Sequence, residues 1–318
     1  MTNQYDRGAE DLGNIVGLEH VNLQIADQGL ATVFYMSGLG LTRDPYMMTS
    51  IDNMWVNVGR SQFHLVTGKA QHLRGRVGLV IPDRAALLRR LERVRGALEG
   101  TQFAFVEHAD HVEATCPWGN KLLCHDPAPR FGRINLGMPY VEFDVPVGTA
   151  TGIAGFYKNV FDAETKLDKT NGVATARVSV GMEQDLVFRE TKAQLPPYDG
   201  HHIQVYVADF SGPHKKLLER KLVTEESNQH QYRFDTIADD KGKPLFQIEH
   251  EIRSMRHPLY ARPLVNRNAN QTNRNYAPGY DAWIPGVAAE EMDDPRVAMR
   301  QRRFENVTRR SAARRGAD

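Results

Sequence analysis

Hydrophobic and polar positions alternate along this chain in short runs that recur in one layout. In Gly17-Leu18-Glu19-His20-Val21-Asn22-Leu23-Gln24-Ile25, the residues Val21, Leu23 and Ile25 fall on one side of an extended segment, and His20, Asn22 and Gln24 fall on the other. The pattern predicts a strand with one buried face and one polar face. A short apolar helix is expected over 31–37, ended by Gly38 and Gly40. Strands are expected at 42–47, 54–58 and 62–67, the last two joined by a turn at Gly59-Arg60-Ser61.

The layout then returns three times. A strand at 76–81 precedes a helix at 84–94, capped by Asp83 after Pro82, and strands at 103–107, 111–115 and 121–125. The third copy, over 136–191, opens with Tyr140-Val141-Glu142-Phe143-Asp144-Val145 and carries Gly155-Phe156-Tyr157 on its helix. The fourth opens with His201-His202-Ile203-Gln204-Val205-Tyr206-Val207, with a helix at 213–222 and closing strands at 231–236 and 244–251. Such a period means that one supersecondary unit is repeated, so equivalent positions can be compared within the chain. The organisation read from it is modules one and two over 14–128, modules three and four over 136–256, and an extended polar and basic arm over 257–318. That arm lacks apolar periodicity and carries eight arginines between Arg296 and Asp318.

Composition narrows the function classes. With 41% hydrophobic and 25% charged residues the chain falls in the range of globular proteins, and a net charge of +1 provides no global field for nucleic acid or membrane. The arginine-rich arm does not change this, because the rest of the chain is not basic. No apolar run approaches the ~20 residues of a membrane span, and the polar first residues lack the apolar core of a signal peptide. Cys116 and Cys124 make no disulfide framework, so a reducing cytoplasm is expected.

The βαβββ unit, with Phe-Tyr on its helix and a Gly-Leu-Gly end, resembles the vicinal oxygen chelate superfamily of glyoxalases, bleomycin-resistance proteins and extradiol dioxygenases, over roughly 14–253. The resemblance implies an α+β fold in which four βαβββ modules form two open cupped barrels. It also implies metal ligands at the inward residues of each module's first and last strands. Those positions read His20 and His64, then Arg76 and Cys124, then Tyr140 and Phe188, then His202 and Gln247. Ligand-capable residues thus concentrate in modules one and four, which suggests that these two share one barrel and that the other barrel is structural.

Within the superfamily, Gly17-Leu18-Glu19-His20-Val21, His201-His202-Ile203 and Gly242-Lys243-Pro244-Leu245-Phe246-Gln247-Ile248 are similar to the four-module hydroquinone ring-cleaving dioxygenases. The resemblance implies a metal triad of His20, His202 and position 247. That family has Glu where this chain has Gln247; His64, or Glu249 on the same strand face, is the expected compensation. Asn22, Gln24, Gln204 and Tyr206 should point inward, with Tyr206 and Glu249 as proton-transfer groups. His108, His111, His125 and His250 are expected to point elsewhere.

The leading functional expectation is a metal-dependent oxidoreductase of the ring-cleaving dioxygenase type, acting with dioxygen on a small phenolic or enediol substrate. Fe(II) is the first choice of divalent metal, with Mn, Zn or Ni as alternatives. A glyoxalase-like lyase or isomerase, using Glu249 or Glu142 as base, and a non-catalytic binding protein that sequesters small molecules are the competing readings. A homo-oligomer is expected.

Overall fold

The computed structural model describes residues 6–44, 52–170, 172–262 and 264. Most of the expected arm and part of the strand expected at 42–47 lie outside these residues.

The first module comprises β1 (Ile15–Ile25), α1 (Gln28–Ala31, continued by the π-helical segment Thr32–Gly38), β2 (Thr42–Arg43), β3 (Asn53–Val58) and β4 (Ser61–Thr67). The second comprises β5 (Gly75–Val80), α2 (Arg84–Val94), β6 (Ala104–Glu107), β7 (Val112–Thr115) and β8 (Lys121–His125). In the third are β9 (Gly137–Pro146), α3 (Ala150–Phe161), β10 (Thr165–Thr170), β11 (Val173–Ser179) and β12 (Asp185–Thr191). The fourth has β13 (His202–Val207), α4 (Ser211–Glu219), β14 (Val223–Asn228), β15 (Gln231–Ala238) and β16 (Pro244–Ser254).

Local chemistry starts the helices where the sequence suggests. Asp27 and Asp83 each accept a backbone N–H of the first turn of their helix, from Leu30 and Ala86. Along α3, Ile153, Phe156, Tyr157 and Val160 recur at helical spacing and are all buried.

The strands form two eight-stranded mixed sheets, ordered β14-β15-β16-β13-β1-β4-β3-β2 and β10-β11-β12-β9-β5-β8-β7-β6. Each sheet is an open, cupped barrel. Module one pairs with module four and module two with module three, so the sequence segments 14–128 and 136–256 do not each make a sheet of their own. In both sheets the two first strands meet antiparallel at the centre, β1 on β13 and β5 on β9. One contiguous apolar core contains residues of both sheets and of the helices beside them. Tyr157 of α3, in module three, hydrogen-bonds His250 of β16, in module four, at 2.5 Å.

Beyond β16 the chain turns back across the first cup. Tyr260 packs on Tyr206 with ring centroids 4.9 Å apart, and Arg262 donates to Asp44 and Gln62. A strap running from module four to module one therefore covers part of that cup.

Candidate metal centre

The pairing of β1 with β13 shifts register twice, between Ile15 and Gly17 and between Leu18 and His20, and the second shift falls at the site. Leu18 pairs with Val205 and His20 with Gln204, so Glu19 is an extra residue in a β-bulge. The bulge turns Glu19 and His20 toward the same polar space. Glu19 is 9% exposed and accepts from Tyr206 at 2.8 Å and from Arg253 at 2.8 Å.

His20 of β1, His64 of β4 and His202 of β13 meet in this cup. One ring nitrogen from each lies within 4.8 Å of the others. The His20 ring centroid is 5.8 Å from that of His64 and 5.6 Å from that of His202. Burial is the main reason that all three imidazoles titrate far below their ordinary range, His64 at about 2. The nearby guanidiniums of Arg253 and Arg233 push in the same direction. Neutral imidazole is the form that binds a metal.

Polar contacts set each ring. His20 Nδ1 faces Glu19 at 3.2 Å, and His202 Nδ1 faces Glu249 at 3.3 Å. The Nε2 atoms of both are buried and have no hydrogen-bond partner. This is the arrangement of a metal-binding histidine, with one nitrogen oriented by an oxygen and the other presented inward. His64 differs because both its nitrogens are occupied. Nε2 donates to Asn53 at 2.8 Å, and Nδ1 accepts from Asn22 at 2.6 Å. Trp55 stacks on the His64 ring at 3.8 Å.

Three histidine nitrogens make up the cluster; of the oxygens expected from the sequence Glu249 faces His202, and Glu251 lies beside the same ring. Gln247 is exposed, bonds Asp235, and sits two residues before Glu249, the residue paired with His202. Gln204 pairs with Glu251 just as Asn22 pairs with His64, so Glu251 is the counterpart of His64 across the two-fold relation between the modules. Glu251 is 3% exposed, with Oε2 3.7 Å from His202 Nε2, and it is held by Arg233 and Arg253. Burial raises its carboxyl above the usual range in spite of those arginines. Residues 247, 249, 251 and 253 share one face of β16, and the pairing with β13 decides which of them reaches the histidines. Neither Glu251 nor the bulged Glu19 was singled out from the sequence: alternation shows the face of Glu251 but not its depth, and strict alternation would put Glu19 on the face opposite His20.

The other expected residues divide as follows. Gln204 is fully buried and its amide is unpartnered. Tyr206 is bonded to Glu19 and pushed far up as an acid, first by burial and then by that carboxylate. Glu249 is bonded to Arg233 and faces His202. Glu142 is in the other cup, paired with Arg76. His250 turns away from the cluster into the core, stacked on Phe234.

In the second cup the pairings of Arg76 with Glu142, Gly78 with Tyr140, Gly78 with Leu123 and Glu142 with Val187 define the same four positions. They hold Arg76, Leu123, Tyr140 and Val187. The expectation of Cys124 and Phe188 is corrected by one residue each: both side chains are buried in the apolar core on the opposite face of their strands. Burial pushes the Cys124 thiol up to about 12. Of these, Arg76 and the apolar Leu123 and Val187 offer no metal-binding atom.

No family model matches the sequence, and no curated protein matches it. Solved structures do match the fold. A protein from Bacillus subtilis provisionally described as a dioxygenase superposes with a TM-score of 0.53 at 14% identity, covering 92% of this chain and 97% of its own. Glyoxalase I from Zea mays superposes with a TM-score of 0.51 at 9% identity, covering 74% of this chain and 92% of its own. These likenesses show a shared fold.

Proposed function

We propose that this chain is a metal-dependent ring-cleaving dioxygenase acting on a small phenolic or enediol substrate, with its ion held by His20, His202 and Glu251. The observation that carries this reading is the pair of buried, unpartnered Nε2 atoms on His20 and His202, with the Glu251 carboxylate beside the second. Two imidazoles and one carboxylate on one face suit Fe(II), with Mn, Zn or Ni as alternatives. The residues therefore fit a divalent ion. Such an ion would act as a Lewis acid toward two neighbouring substrate oxygens and, as iron, exchange electrons with dioxygen.

The chain's own part is to orient and exclude. Glu19 and Glu249, each facing the Nδ1 of one histidine, direct the remaining nitrogens inward. Tyr206 and Arg253 hold Glu19, so Tyr206 positions His20 through that carboxylate. The strap at Tyr260 and Arg262 shields one side of the cup from water.

His64 decides between this reading and a glyoxalase-like lyase or isomerase. Held by Asn22 and Asn53, His64 would stay off an ion bound by His20, His202 and Glu251, which would leave it open to a bidentate substrate and dioxygen. If Asn22 released Nδ1, four protein ligands would leave room for the substrate alone. Elemental analysis of anaerobically purified protein tests this, with oxygen uptake on catechols and hydroquinones. Iron that is lost in His20→Ala and kept in His64→Ala, with oxygen uptake, is the expected result. Zinc or nickel lost in both variants supports the lyase or isomerase; the absence of any His20-dependent ion after reconstitution overturns both.

A further inference from the structure

The second cup has a different cluster at its rim. We propose that Asp110, His111 and His125 form a second site for a divalent transition-metal ion, independent of the first-cup reading.

The sequence argued against this cluster, because His108 and His111 were expected on opposite strand faces and His125 on the outer face beside Cys124. The structure reverses both. His108 N–H donates to His111 O at 2.8 Å and closes the hairpin between β6 and β7, so the two histidines leave the strand alternation and their rings stack at 4.6 Å. Strand β7 pairs with β8 at Val112 and Cys124. With Cys124 in the core, its neighbour His125 faces the cup, 5.4 Å from the His111 ring. One donor atom each from Asp110, His111 and His125 lie within 4.8 Å of one another.

His125 is built into the protein. It is 6% exposed, and its Nε2 lies 2.8 Å from the Tyr140 hydroxyl. Tyr140 reaches it by lying over Gly78, where a Cβ would be 2.3 Å from the Tyr140 ring. With Nε2 taken, Nδ1, now 3.3 Å from the Asp110 carbonyl oxygen, is the nitrogen that would turn to an ion, and Tyr140 is the group that orients the ring. A guanidinium now supplies positive charge there: Arg130 Nη2 is 3.1 Å from His125 Nδ1 and 3.7 Å from Asp110. The Arg130 side chain is 52% exposed, so an ion can displace it into solvent. Two imidazoles and a carboxylate suit Zn, Ni, Co or Cu. Asp110, His125 and Tyr140 also line a cavity of about 510 Å³, together with Glu142, Arg177 and Asp185. The remaining coordination positions of the ion would open into this cavity.

The test is a Co(II) titration of the full chain, followed by absorbance and calorimetry, on the wild type and on His111→Ala, Asp110→Asn, Tyr140→Phe, Arg130→Ala and His20→Ala. His111 and Asp110 are on an exposed hairpin, so their variants should melt as the wild type does. We expect one binding event that weakens at least ~100-fold in His111→Ala and Asp110→Asn, falls about tenfold in Tyr140→Phe, tightens in Arg130→Ala and persists in His20→Ala. The proposal is overturned if all Co(II) binding disappears in His20→Ala, or if His111→Ala and Asp110→Asn bind as the wild type does. Unchanged affinity in Tyr140→Phe would overturn the assignment of His125 as ligand. Because the decisive event must survive His20→Ala, its presence or absence is separate from the fate of the first-cup reading.

Discussion

The two cups share a backbone plan and differ in chemistry position by position. Where one holds His20, His64, His202 and Glu251, the other holds Arg76, Leu123, Tyr140 and Val187. The first set leaves buried nitrogens unpartnered around a common point. Charges in the second set cancel pairwise, with Arg76 on Glu142 and Asp144. The fold supplies inward positions, and the side chains there determine whether a centre exists. Below the sheets the contrast continues. His250 lies under the first cup, and the equivalent residue under the second is Leu186.

Glu251→Gln should break the comparison most severely. It leaves Arg233 and Arg253 without their shared carboxylate in a buried setting, at a cost of about 4 kcal/mol. Denaturant titration reads that loss, and the first-cup ion should go with it; Arg76→Ala in the other cup should leave the ion in place.

Acid should separate the cups next. The folded-state pKa of His250 is depressed to about 4, chiefly by burial, from an ordinary value of 6.5. The unfolded chain therefore takes up the proton first. Full stability holds above pH 6.5 and declines as the pH falls toward 4, by about 3 kcal/mol from this group. Stability measured across that window should lose part of its slope in His250→Gln, whereas Leu186 contributes none.

Asn22→Ala gives a smaller effect. Freed from Asn22, His64 Nδ1 can join the ion, so affinity should rise about tenfold while dioxygen-dependent turnover falls. Direct metal competition and oxygen uptake measure the two arms. Gln247→Ala should be nearly silent, within about 0.5 kcal/mol in stability and without effect on metal content.

These contrasts also mark what the sequence could and could not disclose. Repeats, faces and helix caps were legible because period-two alternation and Asp83 act locally. His20, His64 and His202 stood out because the repeat allowed equivalent positions to be compared. Glu251 did not, since alternation identifies a face and leaves the distance along β16 to its pairing with β13. Glu19 was hidden by a bulge, which breaks the alternation on which the reading depends. Asp110 and His111 were hidden by a turn that suspends alternation, and His125 by the expectation that its neighbour Cys124 faced the cup.

The sheet that carries the three histidines draws its central strands from Ile15–Ile25 and His202–Val207. During synthesis β1 must wait for the 176 residues between Ile25 and His202 before its antiparallel partner exists. Long-range pairings of this kind form slowly, because closing so large a loop precedes any reward. Modules two and three can close their own sheet while β1 still has an unpaired edge. The first cup is therefore the late-maturing part of the molecule, and loading of its ion should track the slow phase of refolding.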